Sequence, residues 1–231
     1  MVWVDRLVGQ AIGNLLPSAV GVALSPVPII AVILMLGTSR ARTTGLAFAI
    51  GWVVGLIVVS VVVVLLASGA DDSDSGTSTA VDVIKLLFGV LFLVLAVKQW
   101  RSRPQPGTEA APPKWMATID TFSAGKSLLL GAALSGANPK NLALTLAAAA
   151  SIAQAGLDGG GTAVAIAVFV VIGSLTVAGP VVFFLVAPRR AAGPLSSIKD
   201  FMGAHNAVIM MVVLLVLGAK LIGDGLAGLS D

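Results

Sequence analysis

Two amides, a proline and a lysine form the cluster Asn138-Pro139-Lys140-Asn141, which lies inside an apolar run at residues 128–155. Proline lacks a backbone N–H and interrupts the hydrogen-bond ladder of a helix. A charge at the centre of a bilayer costs at least about 2.5–3.5 kcal/mol on insertion scales. Such a cluster is tolerated where broken backbone lines a cavity instead of facing lipid. The motif therefore predicts a polar site inside a membrane protein.

A second break, Ser25-Pro26-Val27-Pro28, interrupts the first apolar run at residues 12–36. Prolines free backbone carbonyls, and the N-terminus of the half-helix that follows offers its positive dipole end to an anion. A pair of broken segments in corresponding halves of a chain points to a transport site near the bilayer midplane. The predicted substrate site comprises Ser25, Pro26, Pro28, Asn138, Pro139, Lys140 and Asn141.

Each polar residue of this predicted site also has a structural interpretation. Lys140 can snorkel or donate to freed carbonyls, and Asn138 and Asn141 can satisfy backbone groups beside the proline. Ser25 and Ser135 can bond helix carbonyls, the commoner use of serine in membrane helices. No acidic residue lies deep in an apolar segment, so the sequence offers Lys140 no internal carboxylate. That pattern favours an external anion as its partner, or a lysine that is neutral for part of its cycle.

The composition is that of an integral membrane protein. The 231 residues are 57% hydrophobic and 11% charged, with a mean hydropathy of +1.02, whereas soluble domains carry about 25% charged residues. The formal charge of +3 is attributed to basic loop residues that orient a membrane protein, and it is not interpreted as a nucleic-acid-binding surface. There is no cysteine, metal-ligand cluster or catalytic set, so we expect neither an enzyme nor a metal or cofactor site.

Six apolar segments are long enough to cross a bilayer, which takes about 20 residues. They are residues 12–36, 45–67, 83–100, 128–155, 163–186 and 207–225. The loops between them alternate in charge: the first, third and fifth are basic, while the second holds Asp71, Asp72 and Asp74 and the fourth holds Asp158. The positive-inside rule places the basic loops in the cytoplasm and both termini outside.

Short sequence matches indicate an internal repeat. Residues 21–25 (GVALS) resemble residues 131–135 (GAALS), and residues 93–98 (LVLAVK) resemble residues 215–220 (LVLGAK). The predicted fold is all-α, with three-helix repeats at residues 1–100 and 126–231 joined by a Pro-rich cytoplasmic linker at 101–125. Because each repeat has an odd number of helices, the second must enter the membrane inverted.

Three local patterns have simple interpretations. Gly51 and Gly55 match the small-xxx-small spacing of helix contacts and are a weak signal for a homodimer face. Trp52 is interpreted as a residue of the interfacial aromatic belt. Asp82 and Lys85 are expected to form a local ion pair at the start of the third span.

The two broken motifs resemble those of the lysine exporter superfamily. More specifically, the chain resembles the GAP group, the peptidoglycolipid or sulfolipid addressing proteins of actinobacteria. The resemblance rests on residues 25–29 (SPVPI), on residues 138–142 (NPKNL) and on the six-helix plan with a central linker. It implies an inner-membrane protein that moves envelope lipids such as glycolipids or peptidoglycolipids to the cell surface, alone or beside a large lipid transporter.

Three functions are therefore weighed. The first is an exporter of anionic or amphiphilic envelope lipid, with the broken helices forming its midplane site. The second is an exporter of small solutes such as amino acids, as in the wider superfamily, although the low polar content of the spans disfavours a very hydrophilic solute. The third is a scaffold that recruits a lipid-export machine without transporting anything itself.

Overall fold

The computed structural model describes residues 2–68, 75–103 and 114–230, and within these ranges its regular elements are all helical. The helices are α1 (Val2–Ala23), α2 (Pro26–Leu36), α3 (Ala41–Ser68), α4 (Ser75–Arg101), a 3₁₀ helix (Lys114–Thr121), α5 (Ala124–Gly136), α6 (Pro139–Gln154), α7 (Gly159–Val186) and α8 (Pro188–Ser230). The acidic residues Asp71, Asp72 and Asp74 and the linker residues 104–113 lie outside the described ranges.

Within the described residues, four helices are long and apolar enough to cross a membrane: α3, α4, α7 and α8. The first predicted span is the bent pair α1 and α2, whose axes differ by 51° and which would make a fifth span. The fourth predicted span consists of α5, with 13 residues, and α6, with 16 residues. Each is shorter than the roughly 20 residues that a straight crossing needs, so this span stays a prediction.

The last helix begins earlier than the sequence indicates. The apolar run starts near residue 207, but α8 has 43 residues and begins at Pro188. Proline is well tolerated in the first turn of a helix. Ala191 and Leu195 are four residues apart, so they share one face of α8, and both are buried. Packing of that face supports a helical segment that hydropathy alone assigns to a loop.

Glycines allow α3 and α5 to pack with their backbones in contact. A methyl group on Gly51 would overlap the carbonyl oxygen of Leu128, and one on Gly131 would overlap that of Phe48. At Gly55 the hydroxyl of Ser135 occupies the corresponding space. The small-xxx-small pattern at Gly51 and Gly55 therefore serves an internal helix contact. Its interpretation as a homodimer face is wrong, because α5 already covers that surface.

Trp52 is a core residue, so its assignment to an interfacial aromatic belt is also wrong. Its side chain is 0% exposed, and its indole N–H donates to the carbonyl of Gly173 at 3.3 Å. A buried indole needs an acceptor for its N–H. This hydrogen bond joins α3, which carries Trp52, to α7, which carries Gly173. By contrast, the expected local pair is confirmed, with Lys85 Nζ 2.7 Å from Asp82 Oδ1.

The connections lie at two ends of the bundle. Leu36, at the end of α2, and Val181, near the end of α7, both flank Gly45 at the start of α3. At the other end, Val8 of α1 lies beside Gly161 of α7. The first and fifth connections therefore share one end, and the fourth connection shares the opposite end with the start of α1. For these three connections the positions agree with the alternation of loop charges, while the orientation of the helices in a membrane stays a prediction.

The tight α3–α5 contact makes Gly131 intolerant of any side chain. Gly131→Ala should lower the thermal unfolding midpoint of the detergent-solubilised protein, because overpacking typically costs about 1–3 kcal/mol. The control is Gly179→Ala in α7, where an added methyl group meets nothing within 4 Å. There alanine should be neutral or slightly stabilising, since it is the better helix former. Equal midpoints for the two variants would contradict the proposed backbone contact.

Candidate functional site

The first helix break lies between α1 and α2, at Leu24 and Ser25. Ser25 has extended backbone angles (φ −105°, ψ 101°), and Pro26 is the first residue of α2. The break leaves carbonyls at the end of α1 without helical donors. Two side chains from distant helices replace those donors: the Thr176 hydroxyl donates to the Ala23 carbonyl at 2.6 Å, and Lys140 Nζ donates to the Leu24 carbonyl at 3.2 Å.

The second break lies between α5 and α6 and is capped by its own asparagines. Asn138 is extended (φ −67°, ψ 122°), and its side-chain oxygen accepts from the backbone N–H of Lys140 at 3.1 Å. Pro139 begins α6, where its missing N–H is harmless. The side-chain N–H of Asn141 donates to the Leu134 carbonyl of α5 at 2.8 Å. Both asparagines therefore have the structural roles considered for them from the sequence.

A serine hydroxyl joins the two breaks directly. Ser25 Oγ donates to Asn141 Oδ1 at 2.9 Å and accepts from Lys140 Nζ at 2.8 Å. An ammonium can only donate, so the hydroxyl must accept from it and is free to donate onward to the amide oxygen. Asn141 is 0% exposed and Ser25 is 4% exposed. The predicted juxtaposition of residues 25–28 with residues 138–141 is thus present at Ser25, Lys140 and Asn141.

The ammonium of Lys140 occupies an unusual electrostatic position. It lies at the C-terminal end of α1, where the helix dipole is negative and favours a cation. Among the residues that the structure describes, it forms no ion pair with a carboxylate. An ammonium has three donors, and two of them reach Ser25 Oγ and the Leu24 carbonyl. Lys140 is half-buried, so its charge remains available to an incoming acceptor.

The three prolines shape the backbone and differ in burial. Pro26 and Pro28 are buried at the start of α2, whereas Pro139 is exposed at the start of α6. None of the three can donate a backbone hydrogen bond. The structure thus divides the seven predicted residues into a hydrogen-bonded group (Ser25, Lys140 and Asn141), one cap (Asn138) and three prolines that interrupt the helices.

Thr176 is a participant that the sequence analysis missed. It is one of several hydroxyl residues in an apolar helix, and its sequence distance from Ala23 gives no sign of contact. The expectation that Ser25 and Ser135 bond helix carbonyls is confirmed for Ser135 and wrong for Ser25. Ser135 donates to the Ala132 carbonyl at 3.1 Å as expected, but Ser25 donates to an asparagine side chain instead of a helix carbonyl.

Comparison with known proteins gives one family. The family model described as "SfLAP: Sap, sulfolipid-1-addressing protein" matches residues 15–227, a range that contains both helix breaks. No curated protein and no solved structure matches the chain.

Removing the bridging hydroxyl should loosen the two breaks. Ser25→Ala leaves the buried Asn141 oxygen without its donor, and an unsatisfied buried polar group typically costs about 1–3 kcal/mol. The expected result is a lower thermal unfolding midpoint. Ser197→Ala in the exposed part of α8 is the matched control and should change the unfolding free energy by less than about 0.5 kcal/mol. A Ser25→Ala midpoint equal to that of the control would show that the bridge does not hold the breaks together.

Proposed function

The chain belongs to the family of the sulfolipid-1-addressing protein, and from this membership we propose that it exports, or helps to translocate, an anionic or amphiphilic envelope lipid to the cell surface. The family name supports a lipid-related role in the membrane. The geometry supports a transporter-like mechanism with the two helix breaks as the substrate site.

The observation that carries the proposal is the ammonium of Lys140 held between two broken helices. A built-in cation without a carboxylate partner, in the described part of the chain, suits a ligand that brings its own negative charge. Sulfate, phosphate and carboxylate groups all provide oxygen acceptors for an ammonium. The N-terminus of α2, which begins at Pro26, adds a positive dipole end beside the same hydroxyl. Both features favour the headgroup of an anionic lipid.

A simple exchange of hydrogen bonds describes how the site would work. In the resting arrangement Lys140 donates to Ser25 Oγ and to the Leu24 carbonyl. The flexible four-carbon stem of lysine lets the ammonium turn toward an anionic headgroup. Ser25 can then donate to the same headgroup or keep its bond to Asn141. Binding would thus change the contacts that join α1 to α6, which couples the ligand to the relative position of the two helices.

We also propose the two-repeat architecture and its orientation. In this arrangement α1 to α4 and α5 to α8 form inverted three-span repeats, with the α5 and α6 pair as the fourth span. Three helix contacts support it: α4 packs against α8, α3 against α5, and α1 against α7. The α4–α8 contact joins the equivalent third spans of the two repeats, and the α3–α5 and α7–α1 contacts are related to each other by exchange of the halves. Inverted repeats supply two related arrangements, one open to each side of the membrane.

The proposed location is the inner membrane, with basic connections in the cytoplasm and both termini outside. Membership of the wider lysine exporter superfamily is part of the same proposal, supported by the broken motifs at residues 25–29 and 138–142. The proposed partners are the lipid itself and the bilayer. We also propose that the protein can act together with a large lipid transporter and can assemble as a homodimer. The absence of enzymatic activity is likewise a proposal.

Lys140→Ala tests the function. A strain that lacks the gene is complemented with wild type or with variants, and surface-extractable lipids are compared with whole-cell lipids. Lys140→Ala should reduce export of the affected lipid at least about tenfold, equivalent to a loss of about 1.4 kcal/mol. Lys126→Ala is the control, because Lys126 is an exposed cation near the start of α5. It should export normally.

The other outcomes favour the other functions. Rescue by Lys140→Ala, with a clear lipid defect in the deletion strain, would remove the ammonium from the pathway and favour a scaffold. In that case deletion of residues 104–113 from the cytoplasmic linker should harm export more than Lys140→Ala does. A deletion strain without any lipid difference would favour export of small solutes, which uptake of radiolabelled amino acids into inverted vesicles would detect.

A further inference from the structure

A polar cavity of about 270 Å³ lies between α1, α4, α6 and α8, away from the helix breaks. Its uncharged polar lining is made by Gln10, Asn14, Ser151 and Gln154; Ser151 is half-buried and the other three are exposed, so the cavity is open to the surface. The first two belong to α1 and the last two to α6, so the same helix pair carries both this cavity and the break site. Lys85 of α4 and Lys220 and Asp224 of α8 also line the cavity.

The charges in this cavity are balanced. Each lysine already has a carboxylate on its own helix: Lys85 contacts Asp82 at 2.7 Å, and Lys220 pairs with Asp224. A bare anion entering here would have to compete with both carboxylates. The site thus differs from the break, where Lys140 has no carboxylate partner in the described chain. The cavity offers no comparable excess of positive charge.

Together the uncharged lining side chains offer donors and acceptors, because each amide carries two N–H donors and a carbonyl acceptor. The Ser151 hydroxyl already donates to the Ala147 carbonyl at 3.0 Å, so it can only accept from a ligand. Three amides and one hydroxyl around one cavity therefore match a ligand that carries several hydroxyl groups. We propose that the cavity binds a neutral polyhydroxylated group, chemically a sugar, and that it is a binding site separate from the helix breaks.

The spacing along the helices supports two separate sites. Asn14 lies nine residues before Ala23, the last residue of α1, and Ser151 lies eleven residues after Lys140 in α6. At 1.5 Å per residue the two sites are about 14–16 Å apart. That distance is close to half of the roughly 30 Å hydrocarbon thickness of a bilayer. If the charged rim of the cavity lies at the membrane interface, the breaks lie near the midplane.

This inference extends the proposed function. It rests on that function because the proposed function identifies the ligand as a lipid. A headgroup with both a sugar and an anionic group would meet the two kinds of site in turn. The sugar would bind in the charge-balanced cavity and the anion at Lys140. The experiment that tests it measures binding at the cavity and does not depend on export.

The absence of cysteine from the chain allows a direct test. Ala155→Cys places one thiol in the lining of the cavity without removing a polar side chain, and Leu7→Cys provides a second reporter if the first variant folds poorly. Each protein is reconstituted in phosphatidylcholine nanodiscs, and the rate of reaction with a water-soluble maleimide is measured. The probes are a neutral diglucosyl diacylglycerol, phosphatidylglycerol and free maltose. Ser197→Cys, in the exposed part of α8, is the control thiol.

The diglucosyl lipid should slow modification of the cavity thiol about fivefold when its concentration is about four times its Kd, because only a fifth of the sites are then free. The control thiol should react at an unchanged rate. Protection by maltose would equally support a sugar site, and comparison of the two probes would tell a lipid headgroup from a free sugar. Adding Gln154→Leu should abolish the protection, whereas adding Lys140→Ala should preserve it.

Two results would overturn the inference. One is an unchanged reaction rate with both sugar probes, in either reporter variant that folds. The other is equal protection by phosphatidylglycerol, which would make the cavity an anion site or a general lipid contact. Neither result would bear on the export assay with Lys140→Ala, so failure of the sugar site and failure of the proposed function remain distinguishable.

Discussion

The structure depends on satisfying backbone groups where two helices break in an apolar environment. Water is not available there to replace lost helical hydrogen bonds, so each freed group needs a partner from the protein. The Ser25 hydroxyl joins two side chains that meet this requirement, because it accepts from Lys140 and donates to Asn141, whose own N–H satisfies the Leu134 carbonyl. Lys140 and Thr176 satisfy the carbonyls of Leu24 and Ala23 in turn. Hydrogen bonds at the first break thus hold parts of α1, α6 and α7 together.

The helices that surround the breaks are positioned by close packing. Glycines bring the backbones of α3 and α5 into contact, and a tryptophan N–H ties α3 to α7. Such contacts suit a membrane protein, in which the hydrophobic effect does not drive helices together and small residues permit van der Waals packing. The polar residues are therefore held in a rigid frame, while the side chain of Lys140 retains its own flexibility. This fixed frame around a movable cation is the basis of the proposed anion site.

The two polar regions of the protein differ in charge. At the breaks, a cation lies beside two helix ends and has no carboxylate partner within the described residues. In the cavity between α1, α4, α6 and α8, two lysines are neutralised by carboxylates on their own helices. The same pair of antiparallel helices, α1 and α6, supplies residues to both. In the proposed function, a lipid with a mixed headgroup would contact this one helix pair at both regions.

The sequence by itself determined the membrane character, the two breaks and the identity of their polar residues. Those features are local: a long apolar run, a proline within it and the side chains beside it have predictable consequences for a helix. Tertiary structure decided which partners those residues found. Gly51, Gly55 and Trp52 look like surface residues by pattern, but α5 and α7 cover them. Thr176 lies more than a hundred residues from Ala23, and Ser25 lies more than a hundred residues from Asn141. The hydropathy pattern of a single helix does not predict such long-range contacts. The length of α8 was also decided by packing, since burial of Ala191 and Leu195 stabilises a polar segment that hydropathy alone assigns to a loop.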